Sequence, residues 1–414
     1  MQQVTVIGGG VVGLTSAWWL MEAGYAVTLL ERDSEMGQGA SYRNGGQLSY
    51  RYVAPLADAG VPLKALQWLF QADGPLRLRL EADPRQWRWM LQFLGNCNAE
   101  ANRATTAQLL NLGELSRQAM AQLELELPLG EFSWRDAGKL VVYRTRKAFD
   151  VAVARPESED AREVLSPALC VAREPALAAA EAELAGGIFT GGEAVADCHA
   201  FCLALAARLR LHPHFRGFVQ AEARRFVSAQ GRIVAVATDV GMLSADAFVL
   251  AAGIDSRDLA ASAGIRLPLY PLKGYSLTAP IRAQDRAPEI SVTDFERKVL
   301  YARIGDKLRV AAMVDLVGQD TGIDPRRIAS LTRLARGTMP GAADYDRLSP
   351  WAGLRPATPN SAPIVGASPY PNLWLNVGHG PLGFTFACGT ASLLADLMRG
   401  RPAPFAMDRL RLRA

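Results

Sequence analysis

Three glycines near the start of the chain, Gly8, Gly10 and Gly13, follow the short apolar run "VTVI" at 4–7. Their spacing lets a main chain cradle phosphate. Gly8 permits a tight turn, Gly10 lets the backbone approach a pyrophosphate, and Gly13 lets a helix pack closely on the strand. Leu14, Ala17, Trp18 and Met21 then recur at helical spacing, Gly24 ends that helix, and "AVTLL" at 26–30 reads as a second buried strand. The helix start presents unpaired N–H groups and a positive dipole end to phosphate, with Val12 in its first turn. Glu31 closes the second strand, ahead of Arg32, where a carboxylate accepts both hydroxyls of a ribose and disfavours the 2′-phosphate of NADP. The unit predicts dinucleotide binding and by itself leaves NAD and FAD open.

A second glycine-rich turn, 378–383, lies near the other end of the chain. It joins a strand at 373–377 to a helix running from Phe384 to about Met398, with Arg399 in its last turn, Gly400 past its end and Pro402 beyond. A flavin uses such a second helix start. Its reduction leaves negative charge at the pyrimidine end of the ring, which a helix N-terminus stabilises. This favours FAD. The polar stretch "GQGASYRNGGQLS" at 37–49 has no hydrophobic period and reads either as a surface linker or as a cofactor cradle.

The elements between these turns must bring them together. A chain of 414 residues predicts two domains. Half the residues are hydrophobic and 21% are charged, a globular composition. The net charge of +4, with no block of Lys or Arg, makes no case for nucleic acid. Five scattered cysteines have neither metal nor redox spacing and read as buried thiols, and the four histidines form no ligand set. Val4 already begins a strand, so no signal peptide is expected, and no run reaches the roughly 18 apolar residues of a membrane span. The expected location is cytoplasmic, at most resting on the inner face of the cytoplasmic membrane.

Residues 61–127 read as helical. In "PRQWRWMLQFL", Trp87, Met90, Leu91 and Leu94 share a face that Trp89 and Phe93 widen, with Arg85 and Arg88 beside it. That helix reads first as packing on a core; the alternative, to which Trp68 in "VPLKALQWLF" adds, is a face resting on a membrane. "GKLVVYRT" is a strand, 150–185 short helices and loops, and 199–210 a helix. "RRFVS" and "RIVAVAT" begin an antiparallel meander. "AFVLAAG" is apolar throughout, as a strand buried on both faces would be. "YPLKGYSLTAP", "KVLYARI" and "KLRVAAMVDLVG" between 270 and 317 add strands to a mixed second domain.

Five stretches together carry a resemblance: "RNGGQLS", "APLADAGVPLKALQW", "YPLKGYSLT", "WAGLRPATPNSAPIVG" and "LWLNVGHGPLGFTFACG". On them the chain resembles the FAD-dependent D-amino acid oxidase/glycine oxidase superfamily, and within it the bacterial D-amino acid dehydrogenases, from residue 4 to about 402. The resemblance implies an α/β fold in which a Rossmann-like FAD-binding domain (1–50, 196–262 and 346–414) carries an inserted mixed α+β substrate domain (51–195 and 263–345). It implies a non-covalent FAD held by Gly8, Gly10, Val12, Gly13, Glu31 and Arg32. Ser41, Asn44, Gly45, Gly46 and Gln47 would line the flavin, the main chain of Val219 would hold the adenine, and Ala252 and Gly253 would pass the pyrophosphate. Gly380, Pro381, Leu382, Gly383 and Thr385 would sit at the flavin C2 carbonyl. Against the family, two departures are expected: a shorter 145–190 region, which bears on the exact substrate, and a missing C-terminal extension.

The implied reaction oxidises an α-amino acid to an imino acid, which water converts to the 2-oxo acid where the imine is acyclic. Hydride passes from Cα to flavin N5, and a neutral amine makes a strong protein base unnecessary. What the protein must supply is position and a counter-charge for the carboxylate. Arg355 in "GLRP" is the expected clamp, against the flavin, because a guanidinium pairs with a carboxylate through two parallel hydrogen bonds. Tyr275 would add a hydroxyl or shape the pocket, and Tyr301 is a further pocket candidate. Arg309 falls where some relatives carry a flavin-facing base, although its strand position reads as exposed. His379 is expected to act through its backbone. The expected electron acceptor is a quinone or respiratory carrier. The alternatives are an oxidase that makes hydrogen peroxide, a flavin-bearing docking subunit, and a dehydrogenase for D-proline or cis-4-hydroxy-D-proline in place of broad D-amino acids.

Overall fold

The computed structural model describes residues 1–69, 74–154 and 162–413. Phe70, in the predicted Trp68 segment, and residues 155–161, in the predicted helix-and-loop stretch 150–185, lie outside them. Two sheets dominate. The first has six strands in the order Ile364–Ala367, Leu373–Val377, Ala247–Leu250, Gln3–Ile7, Ala26–Glu31 and Phe215–Gln220. All but the first are mutually parallel. The central strand Gln3–Ile7 is buried from Val4 to Ile7, as the unbroken apolar run predicts for a strand covered on both faces.

The opening helix, Val11–Glu22, and the C-terminal helix, Gly383–Met398, cover one face of this sheet side by side. Thr15 Oγ1 donates to the Ala387 carbonyl at 3.1 Å, and Asn376 Nδ2 donates to Ser16 Oγ at 2.9 Å. The long helix Ala99–Glu124 packs on the outside of the C-terminal helix, where Ser116 Oγ donates to the Thr385 carbonyl at 2.6 Å. Leu14, Leu20, Met21, Leu109, Leu112 and Leu394 are at most 1% exposed between these layers. Fully burying each such side chain contributes roughly 1.5–3 kcal/mol. The segment Gly380–Met398 is long and apolar enough to cross a membrane, which corrects the sequence expectation that no run qualifies. Its apolarity has another cause: it is sandwiched between two helices and a sheet.

The second sheet has nine strands and is mixed. Its main path runs Ser349–Ala357, Tyr270–Pro280, Lys307–Leu316, Val299–Ile304, Ser291–Asp294, Lys139–Tyr143, Gly186–Thr190 and Arg162–Leu165, with Leu76–Leu78 pairing beside Lys307–Leu316. Two expectations change here. Leu76–Leu78 is a strand inside the stretch predicted as helical. Ser349–Ala357, within the segment 346–414 assigned to the cofactor domain, pairs with Tyr270–Pro280, so that segment contributes to both sheets.

The helix Pro84–Asn96 starts where predicted, with Pro84 in its first turn and the Asp83 carboxylate accepting from Arg85 N at 2.9 Å. It is rotated toward one flank of the predicted face, so that Trp89, Met90 and Phe93 pack inward. Gln86 and Trp89 are buried, while Trp87, Leu91 and Leu94 are 46%, 68% and 51% exposed. Polar partners decide the rotation: Trp89 Nε1 donates to the Ala357 carbonyl at 2.9 Å, and Gln86 Nε2 donates to the Tyr270 hydroxyl at 2.9 Å. With those hydrogen bonds made, Gln86 and Trp89 can be buried without leaving a polar atom unpaired.

Candidate active site

A cavity of about 1940 Å³ runs between the two sheets, roughly twice the upper size of a usual small-ligand pocket. One end is the first glycine turn. Gly8 has φ +112°, and a Cβ on it would lie 2.5 Å from the Ala251 carbonyl oxygen; a Cβ on Gly13 would lie 1.8 Å from the Gly8 carbonyl oxygen. Only bare backbone lets strand and helix meet here. Gly10 is the N-cap and offers no side chain to the helix, while Ser41 Oγ accepts from Val11 N at 3.1 Å. Glu31 bends back to this turn, accepting from the main-chain N–H of Gly9, Arg32 and Asp33. Arg32 pairs with Asp255 at 3.0 Å on the rim. Ala252 and Gly253 line the same end.

The second glycine turn opens into the same space. Gly380, Pro381, Leu382, Gly383 and Thr385 line it, and the helix they begin has no side-chain cap. The polar stretch 37–49 forms the wall between the two turns. Ser41, Asn44, Gly45, Gly46 and Gln47 all face the cavity, backed by Leu300 and Ile304, which lie against Gly45 and Gly46. Thr385 Oγ1 accepts from Ser49 N at 3.1 Å and ties this wall to the C-terminal helix. Two helix starts whose own N-cap residues supply no side-chain cap, on one cavity, fit a ligand that is anionic at one end and gains negative charge at the other. The residues present therefore suit FAD.

Other predicted positions fall differently. Val219 sits in the edge strand opposite Leu30, and the cavity wall at that end is Ala221 to Arg224. Tyr301 is fully buried in the core, with its hydroxyl directed to the Leu334 carbonyl, and does not reach the cavity. Arg309 is buried, contrary to its expected exposure. It stands behind the wall and donates to the Asn44 carbonyl at 2.6 Å, and burial pushes its guanidinium down to about 10 against the pull of Asp197. The His379 imidazole is buried against Thr390 Oγ1 at 3.0 Å. Burial pushes it down to about 3, so it is neutral at pH 7.

Arg355 and Tyr275 lie on the neighbouring strands Ser349–Ala357 and Tyr270–Pro280 at the cavity wall, Arg355 opposite Leu272 and Tyr275 opposite Ala352. The Arg355 guanidinium lies over Gly274: a Cβ there would be 2.1–2.4 Å from three of its atoms. Its Nη1 donates to the Met313 carbonyl at 2.9 Å. Among the described residues no carboxylate lies within 4.0 Å of it. Burial pushes it down to about 10, and the field of Asp315 opposes that shift. Asp315 is already committed, accepting from the Tyr275 hydroxyl at 3.2 Å and pairing with Arg327. The Tyr275 hydroxyl is thus held by a protein carboxylate, and its ring packs in the core of the second sheet.

Sequence reasoning passed over Lys139. It is buried at the cavity wall, where its Nζ donates to Gln47 Oε1 at 2.6 Å and Ser49 Oγ at 3.1 Å and stands 4.7 Å from the Tyr52 ring centre. Burial pushes its ammonium down to about 8, and Glu193 pulls the other way. The Glu193 carboxyl is itself pushed up to about 7 by burial. Nothing local marks Lys139, one charge at the head of the ordinary strand pattern "KLVVY". Gly274 was more legible, since an isolated glycine in a strand signals close approach.

Comparison with known proteins agrees with this geometry. Residues 3–397 match the family model DAO, FAD dependent oxidoreductase. The chain is 50% identical to D-amino acid dehydrogenase 2 of Pseudomonas aeruginosa, over 97% of its own length and 96% of the relative's. It is 45% identical to D-amino acid dehydrogenase 2 of Ralstonia nicotianae, over 98% and 100% of the two lengths. Glycine oxidase from Geobacillus kaustophilus shares the fold, with a TM-score of 0.74 at 21% identity over 100% of this chain and 99% of that one. L-proline dehydrogenase from P. horikoshii does so as well, with a TM-score of 0.74 at 17% identity and the same coverage. The chain belongs to the DAO family of FAD-dependent oxidoreductases.

Proposed function

We propose that this chain oxidises D-amino acids to imino acids, with Arg355 as the anchor for the substrate carboxylate. The carrying observation is a guanidinium on the cavity wall, bonded to a main-chain carbonyl through Nη1 and without an acid within ion-pair distance among the described residues. Such a cation keeps its remaining donors for a ligand carboxylate and holds the substrate in one orientation. FAD, when bound, supplies the hydride acceptor. The glycine turns and the wall 41–47 hold it, Arg309 fixing that wall from behind and Lys139 from beside it. His379, being neutral, offers support and no charge. The division of the chain into a cofactor unit (1–50, 196–262, 346–414) and a substrate unit (51–195, 263–345) belongs to the same reading, with Ser349–Ala357 as the strand that joins them. The similarity to D-amino acid dehydrogenases supports the D configuration and dehydrogenase chemistry.

The test is anaerobic bleaching of the bound flavin by a panel of D- and L-amino acids that includes D-proline and cis-4-hydroxy-D-proline, followed by oxygen or a quinone analogue. D-selective bleaching with slow peroxide formation is expected. Bleaching by L-amino acids, or peroxide formed at the rate of turnover, would overturn the reading. We also place the acceptor at a membrane. Trp87, Leu91 and Leu94, with Leu63 and Leu80, are exposed apolar side chains, and Arg85 and Arg88 stand beside them. Flotation with anionic liposomes should be lost in a Trp87→Ser, Leu91→Ser double variant; flotation equal to the parent would remove the membrane from the account.

A further inference from the structure

Met313 has φ +71°, inside the strand Lys307–Leu316. A side chain bearing a Cβ is sterically disfavoured in this left-handed region. The other described non-glycine residues with positive φ, Ser133, Gln230, Lys298 and Ser361, lie in turns or bends. The strand pairing explains what happens at Met313. Lys273 pairs with Asp315 and Tyr275 with Ala312, so Met313 and Val314 together oppose the single residue Gly274. This is a β-bulge whose left-handed position, usually a glycine, is held by methionine. It also falls where the strand changes its second neighbour: Ala312 pairs with Val299, and Val314 pairs with Leu76.

The bulge has a visible product. It turns the Met313 carbonyl out of the ladder to accept from Arg355 Nη1 at 2.9 Å. The guanidinium also lies against Gly274, the residue the bulge opposes, with no Cβ to push it away. Strain of this kind persists where the surroundings over-determine it, and it gathers at ligand sites. We infer that Met313 is a positioning residue: its left-handed backbone and the bare face of Gly274 form a mould that aims Arg355 at the substrate carboxylate. The inference rests on the reading of Arg355 as the carboxylate anchor.

The experiment compares flavin-loaded Met313→Gly, Met313→Ala, Met313→Val and Arg355→Leu for kcat, for KM with D-alanine, and for the Kd of propionate read from the flavin absorbance. Glycine accepts φ +71° and should keep KM and propionate Kd closer to the parent's than any other substitution at this position. Valine, smaller than methionine but β-branched, resists that conformation; it should raise both at least about tenfold and lower kcat as well, because a misaimed anchor binds and orients the substrate less well. Alanine should fall between, and it carries the test if the valine variant does not fold. Valine or alanine values equal to those of glycine would overturn the positioning role, as would glycine values as poor as valine's. An Arg355→Leu variant that still binds propionate normally would instead overturn the anchor itself, and the inference with it.

Discussion

Arg355 and Lys139 are cations on the wall of one cavity, and the fold treats them in opposite ways. Lys139 is enclosed: its ammonium donates to Gln47 and Ser49, faces the Tyr52 ring, and feels the Glu193 carboxylate. Arg355 is set on a glycine, tethered by one N–H to a main-chain oxygen, and offered no acid within ion-pair reach among the described residues. A charge satisfied by the protein belongs to the architecture. A charge the protein positions and leaves unneutralised has donors to offer a ligand, which is the role proposed for Arg355. Arg309, bonded to the Asn44 carbonyl behind the cofactor wall, stands with Lys139.

This contrast can be broken at several points. Arg355→Leu should have the largest effect, raising KM by about a hundredfold or more while flavin binding holds, since truncating a buried charge partner costs about 2–5 kcal/mol. A KM near the parent's would erase the distinction between the two cations. Gly274→Ala should come next. Its new Cβ occupies the place of the guanidinium, so KM should rise at least about tenfold without loss of flavin, and parental kinetics would show that the cation needs no such platform. Arg309→Met should act on the cofactor and spare the substrate: flavin affinity should fall about tenfold, because a hydrogen bond from a charged donor contributes about 1.5–3 kcal/mol, with KM for the amino acid nearly constant.

The smallest effect concerns the pH response of Lys139. Burial pushes its native ammonium down to about 8, whereas in the unfolded chain a lysine titrates near 10.4. Below pH 8 both states hold the proton and the full burial cost is present. Between about pH 8 and 10 the unfolded state binds a proton the native state has lost, so unfolding free energy rises with pH by up to about 1.4 kcal/mol per unit. Urea unfolding at pH 7.5 and 9 should therefore show the parent gaining on Lys139→Met at the higher pH. A constant difference would mean that Lys139 is not a desolvated ammonium.

What the sequence disclosed follows from how locally each feature is determined. The two glycine turns were legible because a tight turn, a close strand-to-helix contact and a helix start are all written within a few consecutive residues. Arg355 was legible because it stands in the family motif "GLRP". Lys139, Arg309 and Met313 were not, since their meaning lies in partners 92, 265 and 42 residues away. Tyr301 was misjudged for a related reason: alternation along "KVLYARI" shows that side chains take turns between two faces, and both faces of that strand are covered. The helix Pro84–Asn96 carries apolar residues on two sides, and hydrogen bonds from Gln86 and Trp89 to remote acceptors chose between them.

The most direct measurement compares D-alanine with D-alaninamide, which lacks the carboxylate charge, in the parent and in Arg355→Leu. The parent should prefer the acid by about a hundredfold or more in kcat/KM, and the variant should lose nearly all of that preference by losing activity on the acid. A variant that keeps the parent's preference for the acid would contradict the assignment of Arg355 as the carboxylate anchor.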